Sequence, residues 1–69
     1  MKVALDKKFY RVGAVKEAAA EFVELADIEV GGKGGSIEVS FANIDEEVGD
    51  VLVDEFLNFA LALTIASKG

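Results

Sequence analysis

Three acidic residues at helical spacing form the pattern in this chain most suggestive of chemistry. Glu46, Asp50 and Asp54 recur at every fourth position, which predicts three carboxylates on one side of a helix. Hard divalent cations favour carboxylate oxygens, but a straight helix does not wrap around an ion as a calcium-binding loop does. We therefore interpret this line as a solvated acidic face and predict no metal site there.

The sequence contains neither histidine nor cysteine. An imidazole base, a thiolate nucleophile and a nitrogen or sulfur metal ligand are therefore all missing. The single tyrosine, Tyr10, follows Phe9, a context more typical of a half-buried anchor than of a catalytic acid. We predict that the protein is not an enzyme and that it binds no cofactor.

Two basic patterns raise the question of anion binding. The glycine-rich run 31–35 surrounds Lys33, but a phosphate-binding loop needs its glycines between a strand and a helix, followed by Lys-Ser or Lys-Thr. Here the run separates two strand-like segments, which favours a hairpin. Lys7, Lys8 and Arg11 precede the first predicted helix, whose free backbone N–H groups attract anions. An anion contact at these three residues is kept as an alternative function.

The size and charge of the chain limit the kinds of function that remain possible. The 69 residues predict one domain, 1–69, and a chain this short buries only about 60% of its unfolded surface, so association is a common remedy. Thirteen acidic and seven basic residues give a net charge of -6, which disfavours nucleic acid and anionic membranes. The apolar run 56–66 is shorter than the roughly 20 residues of a membrane span. We expect a cytoplasmic protein.

Alternation of polar and apolar residues predicts three strands. They are expected at Lys2–Asp6, Asp27–Val30 and Ser36–Phe41. Closing the glycine run symmetrically as a hairpin places Val30 opposite Ile37 on the buried face and Glu29 opposite Glu38 on the outer face. Opposed like charges are mildly destabilising, so we expect that outer face to be solvated.

Two helices complete the predicted fold. The first is expected from about Val12 to Ala26, and the second opens at a capping box of Asn43 and Glu46 and ends near Ser67. The order is β-α-β-β-α, an α+β fold. We favour strand order 1-3-2, a split β-α-β, over 1-2-3, with both helices on one face of the three-stranded sheet.

Apolar residues surround the second half of the last helix. Val48, Leu52 and Phe56 form one stripe facing the core, but Leu57, Leu61 and Ile65 form a second stripe at i, i+4 and i+8. A domain with one small core has no means of burying both sides. A contiguous exposed stripe usually marks an interaction site, although the end of the helix could instead fold back onto the core.

Asn58 and Thr64 are the only polar residues in this apolar half, and we place both in the predicted interface. Asn58 either points to solvent or bonds the backbone, or it fixes the register of two helices, as one buried asparagine does in coiled coils. The simplest partner for this surface is a second copy of the chain.

Several short segments together resemble HxsD-type proteins, the small accessory members of bacterial His-Xaa-Ser peptide-modification systems. They cover most of the chain in order: Val3-Ala4-Leu5-Asp6, Phe9-Tyr10, Ala14-Val15-Lys16-Glu17-Ala18-Ala19 with Phe22, Ile37-Glu38-Val39 and Glu55-Phe56-Leu57-Asn58-Phe59-Ala60-Leu61. The family pattern carries an arginine just after the leucine matching Leu61, where this chain has alanine. In such systems the chemistry is attributed to radical S-adenosylmethionine enzymes, so the resemblance implies an accessory or binding role.

The sequence thus predicts a non-enzymatic interaction module, homodimeric through its last helix, that binds a peptide or a radical S-adenosylmethionine maturation enzyme. An extended peptide is expected to add to an open strand edge. The alternative is a small ligand-binding or anion-binding protein, or a minor enzyme, that uses the start of the first helix.

Overall fold

Five elements follow one another in a computed structural model that describes residues 1–32, 34–49 and 51–68, with Lys68 described by its backbone alone. They are β1 (Lys2–Asp6), α1 (Val12–Glu21), β2 (Asp27–Gly31), β3 (Ser36–Ala42) and α2 (Leu52–Lys68). β3 lies between β1 and β2 and is antiparallel to both. The predicted α+β fold and the strand order 1-3-2 are therefore confirmed.

The hairpin register differs from the prediction by two residues. Val30 pairs with Val39 rather than with Ile37, and Glu29 pairs with Ser40 rather than with Glu38. A shift of two leaves every side chain on its predicted face, because side chains alternate with a period of two. The longer loop also separates the two glutamates, which would repel each other if they were directly opposed.

The first helix ends earlier than predicted. α1 stops at Glu21, and Phe22 donates its N–H to the carbonyl oxygens of Ala18 and Ala19 as the chain turns. A second turn follows, in which the Leu25 N–H bonds to the Phe22 carbonyl. The predicted end at Ala26 is wrong because the chain must reverse direction before β2 begins at the next residue.

The predicted start of the second helix is also wrong. Asn43 has a positive φ of 52° and donates its side-chain amide to the Asp27 carboxylate at 2.6 Å, so it does not cap a helix. Asp45 instead accepts the Glu47 N–H in a local turn, at 2.9 Å. Regular helix begins only at Leu52. Asp54 and Glu55 lie in its first turn, where acidic side chains interact favourably with the helix dipole.

The core lies between the inner face of the sheet and the two helices. Phe56 of α2 is fully buried and makes edge-to-face contacts with Phe22, at a centroid distance of 5.7 Å, and with Phe41 of β3, at 5.2 Å. Burying such a side chain stabilises the fold by roughly 1.5–3 kcal/mol. The rest of the buried cluster comprises Leu5, Val15, Ala18, Ala26, Ile37, Val39, Leu52 and Ala60.

Neither helix in the described part of the chain combines the length and the apolar character needed to cross a bilayer.

Candidate functional site

The predicted line of carboxylates does not form along one helix. Glu46 is exposed in a turn and Asp54 is exposed in the first turn of α2, while Asp50 lies outside the described residues. The prediction of one acidic helix face is therefore wrong, because α2 starts only at Leu52. Among the described residues, no group of three acidic side chains is arranged to hold a metal ion.

The glycine-rich run joins two strands, as predicted, and does not precede a helix. Gly32 has φ +143°, and a Cβ at this position would overlap the backbone carbonyl oxygen of Ser36. Glycine is required here because L-residues with a side chain rarely adopt such a backbone conformation. Lys33, the cation considered for phosphate binding, lies outside the described residues.

The three basic residues considered for anion binding do not converge. Lys7 borders a cleft of about 200 Å³, whereas Arg11 borders a separate cleft between α1 and α2. Lys8 donates its backbone N–H to the Asp6 carboxylate at 2.8 Å, and its side chain is exposed. The backbone N–H of Arg11 is also occupied, because it bonds to a side chain of α2 at 3.1 Å. No common anion pocket is formed by these three residues.

That α2 side chain is Thr64, which we predicted in the outer interface. Its hydroxyl oxygen accepts the Arg11 N–H, and its O–H donates to the carbonyl of Ala60 at 2.8 Å. Thr64 is only 1% exposed and follows Phe56 and Ala60 at four-residue steps. Its placement in the outer interface is wrong, since it lies on the core side and bonds the N-cap residue of α1.

The remaining residues of the predicted stripe become more exposed toward the end of α2. Leu57 is half-buried and packs against the core, Leu61 is 37% exposed and Ile65 is 62% exposed. Asn58 and Ala62 are exposed between them. We call the surface formed by Asn58, Leu61, Ala62 and Ile65 the outer face of α2. It is apolar apart from one amide.

A second candidate surface is the open edge of β2. Phe41 of β3 exchanges backbone hydrogen bonds with Met1, at 2.7 and 2.9 Å, so its N–H and C=O point toward β1. Val39 points the same way, because strand residues alternate. Ile28 and Val30 are paired in register with Phe41 and Val39, and their N–H and C=O groups therefore point away from β3. We call these four backbone groups the β2 edge.

The cleft that Lys7 borders lies beside this edge, and sequence reasoning did not find it. Its other lining residues are Val12, Lys16, Val30, Gly31 and Gly32. We call it the lysine cleft. The one signal in the sequence is the spacing of Val12 and Lys16, which are one helical turn apart. Their approach to Lys7 and to β2 depends on the tertiary fold.

Comparison of the chain with protein-family models, with curated proteins and with solved structures gives no match.

Proposed function

We propose that this protein is a non-enzymatic interaction module that forms a homodimer through the outer face of α2 and binds a peptide or a maturation enzyme. The observation that carries the proposal is the exposure of Leu61 and Ile65 on a small acidic domain, 37% and 62% respectively. Full burial of an exposed aliphatic side chain is worth roughly 1.5–3 kcal/mol, and covering Leu61 and Ile65 would gain the part of it that corresponds to their remaining exposure.

The charge distribution along α2 favours a second copy as the partner. Asp54 and Glu55 occupy the first turn, whereas residues 56–67 carry no charge. An antiparallel crossing of two α2 helices near Leu61 and Ala62 brings the neutral halves together and keeps the acidic turns apart. The small side chain of Ala62 permits close approach. Stable complexes usually bury about 800 Å² on each copy, which is roughly a sixth of the 4590 Å² that the monomer exposes.

The resemblance to HxsD-type accessory proteins supports a second partner besides another copy of the chain. That resemblance implies a peptide or a radical S-adenosylmethionine maturation enzyme as the partner. The cytoplasmic location expected from the sequence is part of the same proposal. The open β2 edge agrees with the peptide partner, since extended segments commonly add to an exposed strand.

The alternative, an anion-binding protein or minor enzyme at the start of α1, has less geometric support. Lys7 and Arg11 border different clefts, and the Arg11 N–H already bonds Thr64. Replacing Tyr10 and Arg11 together with alanine discriminates between the two functions. An anion-binding protein would lose its ligand, whereas the interaction module would keep its partner.

Molar mass in solution tests the dimer directly. Sedimentation equilibrium of the wild-type protein is expected to give twice 7.3 kDa at micromolar concentration. Ile65→Glu is expected to give the monomer, because a charge buried inside an apolar interface is left without a partner. Circular dichroism of both proteins should show the same helix content.

The matched control is Val23→Glu. Val23 is 65% exposed, close to the value for Ile65, but it lies in the turn after α1. This variant is expected to remain a dimer. A wild-type protein that sediments as a folded monomer at every concentration, or a Val23→Glu variant that dissociates as readily as Ile65→Glu, would contradict the proposed interface.

A further inference from the structure

The two open edges of the sheet are not equivalent. At the β1 edge the outward-pointing backbone groups belong to Lys2, Ala4 and Asp6, because Val3 and Leu5 alternate with them toward β3. The Asp6 carbonyl already accepts the N–H groups of Phe9 and Tyr10, at 3.0 and 3.1 Å. The β1 edge is therefore closed at one end by the turn that follows it.

The β2 edge combines outward-pointing backbone groups, which bond to no described residue, with a side-chain pocket. Val30 contributes its outward N–H and C=O to the edge and also lines the lysine cleft. Lys7 and Lys16 border the same cleft, and in the described part of the chain neither forms an ion pair. A strand added here would therefore meet two positive charges as well as a hydrogen-bonding edge.

We infer that the β2 edge is a binding site for an extended peptide that carries a carboxylate side chain directed into the lysine cleft. This inference rests on the proposed function and specifies its peptide partner. The charge complementarity between the peptide and the protein is confined to the lysine cleft. The whole chain has a net charge of -6 and repels a polyanion. A single carboxylate between two lysines is nevertheless attracted. The cleft volume of about 200 Å³ is suited to one side chain.

The strand geometry specifies the pattern of the peptide. Residues opposite Ile28 and Val30 share their inner face, whereas the residue between them lies opposite Glu29 on the outer face. Glu29 forms no ion pair with the described cations, so a basic residue opposite it is favourable and an acidic one is not. An antiparallel peptide should therefore read acidic, basic, apolar, with the acidic residue opposite Val30 and the apolar residue opposite Ile28.

Titration with a capped Thr-Glu-Lys-Val-Thr peptide, followed by amide resonances of the labelled protein, tests this site. We expect the largest shifts and slowed hydrogen exchange at the amides of Ile28 and Val30. Replacing Glu with Gln in the peptide is expected to weaken binding about threefold to tenfold, because the contacts of the carboxylate with two solvent-exposed lysines are lost. Lys16→Met in the protein should weaken binding in the same direction but by less, because Lys7 remains. Lys8→Met, at an exposed lysine outside the cleft, should leave the affinity unchanged.

N-methylated peptides test the register in which the peptide pairs with β2, independently of charge. In an antiparallel pair, the peptide residues opposite Ile28 and Val30 point their N–H groups at β2, and the central residue points its N–H away. Methylating the Glu or Val nitrogen should abolish binding, whereas methylating the Lys nitrogen should not. Shifts centred on Ala4 of β1, equal affinity for the Gln peptide, or no binding at all would overturn the inference.

The titration is run on the wild-type protein and on Ile65→Glu, which separates the two proposals. Peptide binding by a monomeric Ile65→Glu variant supports the edge site whatever the assembly state. A wild-type protein that is dimeric but does not bind the peptide would refute the edge site while leaving the dimer proposal intact. A monomeric wild-type protein that binds the peptide would refute the dimer and leave the edge site intact.

Discussion

The two sides of α2 have opposite relations to the rest of the molecule. Leu52, Phe56 and Ala60 on the inner side are at most 1% exposed, whereas Leu61 and Ile65 on the outer face are 37% and 62% exposed. The inner side chains hold the helix against α1 and the sheet. The outer ones leave much of their surface in water. Similar residue types therefore lie in two different environments on one helix, and matched substitutions on its two sides test folding and the proposed association separately.

The largest contrast is expected between two phenylalanines of α2 that both contact Phe22. Phe56 is fully buried, and Phe59 is 37% exposed at a centroid distance of 5.9 Å from Phe22. Phe56→Ala should lower the free energy of unfolding by about 3–5 kcal/mol, which is much of the stability of a domain this small. Phe59→Ala should cost clearly less, because less of its surface is buried.

Urea denaturation monitored by circular dichroism measures both changes, in a protein dilute enough to be monomeric. The Ile65→Glu variant, which is expected to be monomeric, serves as the common background, so that dissociation of the proposed dimer does not enter the comparison. Equal losses for the two phenylalanine variants would contradict the difference in burial between Phe56 and Phe59.

A smaller contrast is expected between two alanines on opposite sides of α2. Ala60 is fully buried in the core cluster, whereas Ala62 is exposed on the outer face. Ala60→Leu should lower the free energy of unfolding by about 1–3 kcal/mol, because the added carbons have no space in a packed core. Ala62→Leu should change it by less than about 0.5 kcal/mol in the same monomeric background.

A stabilising effect of Ala60→Leu would show an unfilled space beside α2 and would weaken the contrast. In the wild-type background, Ala62→Leu has a second use. A bulky side chain at the proposed helix crossing should raise the dissociation constant of the dimer, and sedimentation equilibrium measures that change.

The sheet was predictable because its signals are local. Alternating residues in β1, β2 and β3 and the glycine-rich connection define strands whose inner faces are independent of a two-residue register shift. The helix ends were not predictable in the same way. Residues 22–26 contain no glycine or proline, so the end of α1 leaves no mark in the sequence. Asn43 fits a capping pattern, but its side chain bonds Asp27, which is remote in sequence.

The candidate surfaces, too, were predictable only where their signal in the sequence is local. Exposure of Leu61 and Ile65 follows from their helical spacing, and the sequence predicted it. Burial of Thr64 depends on the Arg11 N–H, and the lysine cleft depends on β1, α1 and β2 meeting at one end of the sheet. Such long-range contacts leave no periodic signal in the chain, which explains why these two features were missed.

The smallest expected effect concerns Thr64, the polar residue on the inner side of α2. Thr64→Val keeps the shape of the side chain but removes the oxygen that accepts the Arg11 N–H, which should cost about 1 kcal/mol of unfolding free energy. Hydrogen exchange gives the sharper measurement, because the Arg11 amide alone should lose protection at the start of α1. Thr64→Ser retains the acceptor and should retain that protection. If Arg11 exchanges equally fast in both variants, the hydroxyl does not hold α1 against α2, and Thr64 serves the core only by filling space.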